Sequence, residues 1–153
     1  MSTAAEIDAS AWLNTMSPLT LGGLRGRVVV IEAFQMLCPG CVQHGIPQAQ
    51  RIAAAFRAED VQVIGLHSVF EHHAVQGTRE ALEAFVHEFR VGFPVAIDRQ
   101  DGRLPATMAA YAMQGTPTLV VIDRKGVRRA QYLGVVSDLE VGAVLGKLLG
   151  ESA

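Results

Sequence analysis

Cysteine, tryptophan and charge are all scarce in this sequence. Only two cysteines, Cys38 and Cys41, occur among its 153 residues, and Trp12 is the one tryptophan. A structural zinc site ordinarily takes four ligands with a second matching pair. His44, His67, His72 and His73 do not supply that pair, so no metal is expected, and the histidines of 67–73 read as solvated loop residues. Only 18% of the residues are charged and the net charge is -2. That balance gives no electrostatic case for nucleic acid. The one loose basic group, Arg124, Lys125, Arg128 and Arg129, reads as a solvated hairpin. No run approaches the roughly eighteen apolar residues of a membrane span. Gly142 and Gly146 share a Gly-x-x-x-Gly spacing, but on a helix too short to span, so they read as close packing on the sheet or as simple tolerance. Residues 1–8 lack a basic segment followed by an apolar one. A cytoplasmic location is therefore expected, with both thiols reduced at rest; a leader upstream would make it periplasmic. Repeats, low-complexity tracts and linkers are absent too, which points to a single domain over 1–153.

Against these absences stands a large apolar content, 50% of the residues. The run Val28 to Phe34 is β-branched and short, as in a strand buried on both faces. Phe34-Gln35-Met36-Leu37-Cys38-Pro39-Gly40-Cys41 follows, and then Ile46, Ile52, Ala53 and Phe56 recur at roughly helical spacing to about Ala58. A C-x-x-C between a strand and a helix reads as a thiol-disulfide redox motif. Backbone N–H groups at a helix start lack intrahelical partners and favour an anion. The first cysteine faces them, so Cys38 is expected as the nucleophile and Cys41, one turn on, as the resolving thiol.

Further elements alternate along the chain. Ile7 to Asn14 is expected as a short helix that packs Trp12 onto the body, and 61–66 as a second buried strand. Thr78 N-caps a helix with Leu82, Phe85, Val86 and Phe89 on one face. Residues 93–97 form a short strand and 104–113 a helix. The strands 118–122 and 128–133 form a hairpin whose turn uses Gly126. Ser137 and Glu140 have capping-box spacing and open the last helix. Strands alternating with helices imply an α/β domain with a central mixed sheet.

These residues together resemble the thioredoxin-like superfamily, in its TlpA/ResA-like, or redoxin, branch. The resemblance is carried by Leu24 to Val30 as the lead-in strand, Cys38-Pro39-Gly40-Cys41 as the redox motif and Val63 to Ser68 as the second strand. Thr78 to Ile97 corresponds to the helix-strand insertion of that branch, and Gly115-Thr116-Pro117-Thr118 to the cis-proline loop. It covers residues 19–149 as the core, with 1–18 as an N-terminal extension. It implies a thioredoxin-like fold and a thiol-disulfide oxidoreductase acting on protein or small-molecule disulfides and dithiols. It further implies a cis Pro117 beside the disulfide, and Thr116 pairing its backbone with a substrate strand. Leu37, Pro39 and Gly40 would border the substrate. Glu32, on the apolar strand six residues before Cys38, would relay a proton from Cys41. Beside the resemblance, Met36 and Phe34 flank the site as an apolar apron for a partner or as core, and His44, one helical turn beyond Cys41, either tunes the thiolate or is an exposed helix residue. No cofactor is implied beyond an external thiol reductant or oxidant.

The sequence departs from the branch in two places. Leu37 stands where the family has tryptophan, and Pro47 follows Cys41 by six residues instead of five, with Gly45 between. The extra residue predicts a bulge or kink in the helix. Two rival functions are a peroxiredoxin-like peroxidase and a non-catalytic binding or redox-sensing module. The peroxidase pattern Pro-x-x-x-Thr/Ser-x-x-Cys is absent, since Ile31 and Gln35 occupy its positions. Both cysteines, Glu32 and Thr116-Pro117 are present, which argues against the module.

Overall fold

The computed structural model describes residues 2–153; of the N-terminal extension, Met1 lies outside them. Strand β2 (Val28–Phe34) is the centre of the molecule, and every one of its residues is buried. It pairs in parallel with β3 (Val61–His67) and antiparallel with β7 (Thr118–Ile122). Beyond β3 lies β4 (Val95–Asp98), parallel to it, and beyond β7 lies β8 (Arg128–Leu133), antiparallel. The outermost strand is β1 (Ala9–Leu13), which completes a six-stranded mixed sheet of order β1-β4-β3-β2-β7-β8.

Side chains alternate across β2 and divide the core. Val28, Val30 and Phe34 face a layer of three helices: α1 (Ile46–Ala55), α3 (Arg79–Glu88) and α5 (Asp138–Leu149). Val29, Ile31 and Ala33 face Leu21, Leu24, Met108 and Tyr111 from the loop before β2 and from around α4 (Ala106–Ala110). Caps fix two of the helices. Thr78 Oγ1 accepts from Ala81 N at 3.2 Å, and Ser137 Oγ from Glu140 N at 3.1 Å. The hairpin turn places Gly126 at φ 84°, where the Arg25 guanidinium lies against its bare Cα.

Three local expectations are corrected. Residues 9–13 are a strand, not a helix: they hydrogen-bond along β4, with Leu13 opposite Val95 and Trp12 opposite Ala96. An unpaired β4 edge is a liability, and pairing it outweighs any weak helical pattern. Asn14 then turns the chain at φ 59° and donates its amide to Val91 O and Phe93 O. Residues 104–113 are not one helix. β5 (Gln100–Asp101) and β6 (Leu104–Pro105) form a small hairpin, and only then does α4 begin. Its start is held by the buried carboxylate of Asp98, which accepts from Thr107 N, Met108 N and Ser68 Oγ at 2.8, 3.0 and 2.8 Å. Finally, His67 is no solvated loop residue. It ends β3, buried, with its ring 5.1 Å from that of Phe34.

Candidate active site

The site sits where β2 ends. Cys38 is half-buried and Cys41 fully buried, with their Cα atoms 5.2 Å apart and their sulfurs joined in a disulfide. Cys41 N lies 3.3 Å from Cys38 Sγ while also donating to Cys38 O at 3.0 Å, so an N–H of the first helical turn faces that sulfur. Residues Cys41–Gly45 form a π-helical turn, closed from Ile46 N to Cys41 O, before α1 continues. The extra residue ahead of Pro47 is thus absorbed as one wide turn.

That turn presses Gly45 onto the layer beneath. A Cβ there would run into Glu32 Oε1 and come within 2.9 Å of Pro117 Cβ. A Cβ on Gly40 would approach Pro117 Cδ to 3.2 Å. Both glycines therefore let the redox helix close down on Glu32 and Pro117. Glu32 is buried and its Oε1 has no hydrogen-bond partner. Burial alone pushes its pKa well above the ordinary carboxyl range, because the charged form loses its hydration.

The Thr116-Pro117 bond is cis. Thr116 O lies 3.5 Å from Cys38 Sγ, so this loop forms one wall of the site. Gly134 N donates to Pro117 O at 2.8 Å and Thr118 Oγ1 to Gly115 O at 2.7 Å, which ties the loop to β8 and to itself. His44 has its Nε2 3.2 Å from Val136 O, a carbonyl that Gln48 also reaches at 2.8 Å. Leu37 and Pro39 are exposed at the rim and Met36 is half-buried. Phe34 is not part of an exposed apron: it is fully buried between His67 and Phe85. Exposed Val75, Leu133 and Val135 are further apolar surface residues in the segments that flank Leu37 and the Pro117 loop.

Two residues escaped the sequence reading. Gln35 and Gln76 are buried amides that connect the cysteine loop, the segment 70–71 and the Thr116 loop. The only signal in the sequence was a glutamine beside an apolar strand. Its partner lies 41 positions away in α2 (His73–Gln76), in a segment without periodicity. Among the described residues no group of three or more His, Cys, Asp or Glu side chains could hold a metal ion, and no helix is long and apolar enough to cross a membrane.

A disulfide of C-x-x-C spacing, opening a helix at the end of a central parallel strand and facing a cis-proline loop, defines the thioredoxin-like class. The Redoxin profile matches residues 7–145, and the chain belongs to that family. It is 55% identical to a crystallised thioredoxin-like superfamily protein, with 99% of this chain and 98% of that one aligned at a TM-score of 0.96. A thiol-disulfide isomerase from Corynebacterium glutamicum is 50% identical over 97% of both chains, with a TM-score of 0.93. Protein DipZ of Mycobacterium bovis is 28% identical over 122 residues, which make up 78% of this chain and only 16% of DipZ.

Proposed function

We propose that this protein is a thiol-disulfide oxidoreductase whose redox couple is Cys38 and Cys41. The observation that carries the reading is the asymmetry of the pair. Cys38 is accessible at a helix start, whereas Cys41 is sealed inside. The Cys38 thiolate attacks a partner disulfide, forms a mixed disulfide and expels one partner sulfur as a thiolate. Cys41, once deprotonated, attacks the Cys38 sulfur, closes the intramolecular disulfide and expels the second partner sulfur. Two electrons pass from the dithiol to the partner, and an external thiol couple returns them. The reverse sequence oxidises a dithiol. The electron balance needs only sulfur, so the reading includes no metal or organic cofactor.

In this reading Glu32 takes the proton of Cys41. Burial raises its pKa toward that of a thiol, which suits it to exchange a proton with one, and the packing of Gly45 on it supports the role. Thr116 offers its backbone to an extended partner segment, with Leu37, Pro39 and Gly40 on the other side of the sulfur. Proteins and small molecules bearing disulfides or dithiols are the substrate class, in line with the name of the isomerase relative. A cytoplasmic setting belongs to the proposal, and fractionation of cells producing the tagged protein tests it. Turnover is tested by reduction of insulin with dithiothreitol as electron source. The parent accelerates it and Cys38→Ser does not. Wild-type activity in Cys38→Ser contradicts the assignment, and fast peroxide consumption without disulfide reduction favours a peroxidase.

A further inference from the structure

The hairpin turn, a loose basic group in the sequence, gains further cations in the fold. β2 and β7 are antiparallel, with Val29 opposite Ile122, so the turn 123–127 lies beside the residues that lead into β2. Gly26 N donates to Arg124 O at 2.9 Å, and the Arg25 guanidinium rests on Gly126. Arg25 and Arg27 thereby join Arg124 and Lys125, which lie far along the chain. Arg25 and Lys125 are exposed, and Arg27 and Arg124 are half-buried. Arg27 Nη1 donates to Ala58 O at 3.4 Å and Arg124 Nη2 to Leu149 O, so both are steered by neutral carbonyls.

Among the described residues none of these four cations has a carboxylate at ion-pair distance. The acids at this end of the sheet are occupied by other arginines. Asp123 and Glu151 both hold Arg129, at 3.1 and 2.6 Å, and Asp60 holds Arg57 at 3.2 Å, with Glu59 beside that pair. Four of the 13 lysines and arginines therefore gather uncompensated at one pole of a chain whose net charge is -2. The disulfide is at the other pole. The seven residues of β2, about 23 Å of strand, separate Arg27 from the cysteine loop. The turns that carry the charge, 21–27 and 123–127, contain no aromatic residue and so offer no platform for stacked bases. A bilayer presents a plane of negative charge that needs no groove, pocket or stacking partner, only cations within a Debye length of it.

We propose that this basic pole is a peripheral docking surface for anionic phospholipid: Arg25, Arg27, Arg124 and Lys125 hold the protein on a negatively charged bilayer with the Cys38–Cys41 disulfide facing away from it. The attachment is electrostatic and reversible by salt, because none of the exposed large apolar residues belongs to the two turns. Docked this way, the sulfur pair stays open to partners arriving from the aqueous side. The inference goes beyond the redox reading and does not depend on it.

The test is sedimentation of the full chain with vesicles of phosphatidylcholine, alone or mixed with phosphatidylglycerol. It is run at low salt and at about 1 M salt, where the Debye length falls to about 3 Å. The parent sediments with the mixed vesicles at low salt, and neither with the neutral ones nor at high salt. Each cation near such a surface contributes about fivefold to partitioning, so Arg27→Gln combined with Lys125→Gln lowers it about 25-fold. Arg79→Gln combined with Arg103→Gln changes the net charge equally, away from this pole, and leaves binding near that of the parent. Equal binding to neutral vesicles, binding to neither kind, or an equal loss in the control pair overturns the proposal. Binding to an RNA duplex without binding to vesicles assigns the pole to nucleic acid and overturns it as well. If the double variant does not fold, Lys125→Gln alone decides, since Lys125 is held through its backbone N–H to Asp123. It lowers partitioning about fivefold, and unchanged partitioning contradicts the proposal. Insulin reduction continues on the vesicles, and its loss there overturns the orientation. Absence of insulin reduction in solution would strike the redox reading instead and leave the vesicle result intact.

Discussion

Gly45 lies with its bare Cα against the carboxyl of Glu32, so that a single methyl group there would collide with Oε1. The contact exists because the π-helical turn swings Gly45 inward, and the turn exists because one residue more than usual separates Cys41 from Pro47. Sequence, helix geometry and proton chemistry therefore meet at one point.

Gly45→Ala must push the Glu32 side chain or the Pro117 ring aside. Overpacking of this kind costs about 1–3 kcal/mol. Chemical denaturation reads that loss. Stopped-flow mixing with a disulfide substrate reads the second effect, a slower attack by Cys41. Unchanged stability and unchanged resolution would show that the space is not needed.

Glu32 makes stability depend on pH with a definite sign. Its pKa is raised in the folded state, so the folded protein holds a proton that the unfolded chain releases from about pH 4.5 upward. Its contribution is fully present below that pH and is lost as the pH rises toward the folded-state pKa. Glu32→Gln removes this dependence, so the variant gains on the parent with rising pH in denaturation curves. The same substitution slows the Cys41 step and spares the first attack by Cys38. Parallel stability curves, or equal slowing of both steps, would contradict the role.

His67 acts at the other end of the pH range. Burial holds its pKa down to about 4, against an ordinary value of 6.5. The unfolded chain takes up a proton below 6.5 that the folded protein refuses, so stability falls from about pH 6.5 to pH 4, by about 3 kcal/mol in all. His67→Phe keeps an aromatic ring against Phe34 and should flatten that part of the acid limb. An unchanged slope between the two pH values would place the titration elsewhere.

Asp98 is expected to be structural only. Removing the three hydrogen bonds it accepts strips the start of α4 and the Ser68 hydroxyl of their partner. Asp98→Ala should cost about 2–4 kcal/mol in thermal or chemical unfolding. The alkylation rate of Cys38 in the folded protein should not change. A large change in that rate would tie α4 to the redox site.

What could be read in advance was local. Val28 to Phe34 announces a buried strand, Thr78 and Ser137 announce their helices, and the spacing of Pro47 announces the wide turn. Each depends on residues within a few positions of one another. Residues 9–13 are a strand only because β4 lies open beside them, a condition set some 80 positions later. Asp98 begins α4 from outside the helix, and Gln35 meets Gln76 across 41 positions. Such pairings are decided by the sheet, and no periodicity records them. Leu37, in place of the family tryptophan, is exposed at the rim, where the substitution changes surface and not core.

The most direct test of the redox couple is intact-mass analysis of Cys41→Ser after exposure to a disulfide substrate. Without the resolving thiol, Cys38 should hold the partner as a stable mixed disulfide, mapped to Cys38 by peptide mass and released by dithiothreitol. Cys38→Ser should give no such adduct and no turnover. An adduct on neither variant, or full disulfide reductase activity in Cys38→Ser, would contradict the account.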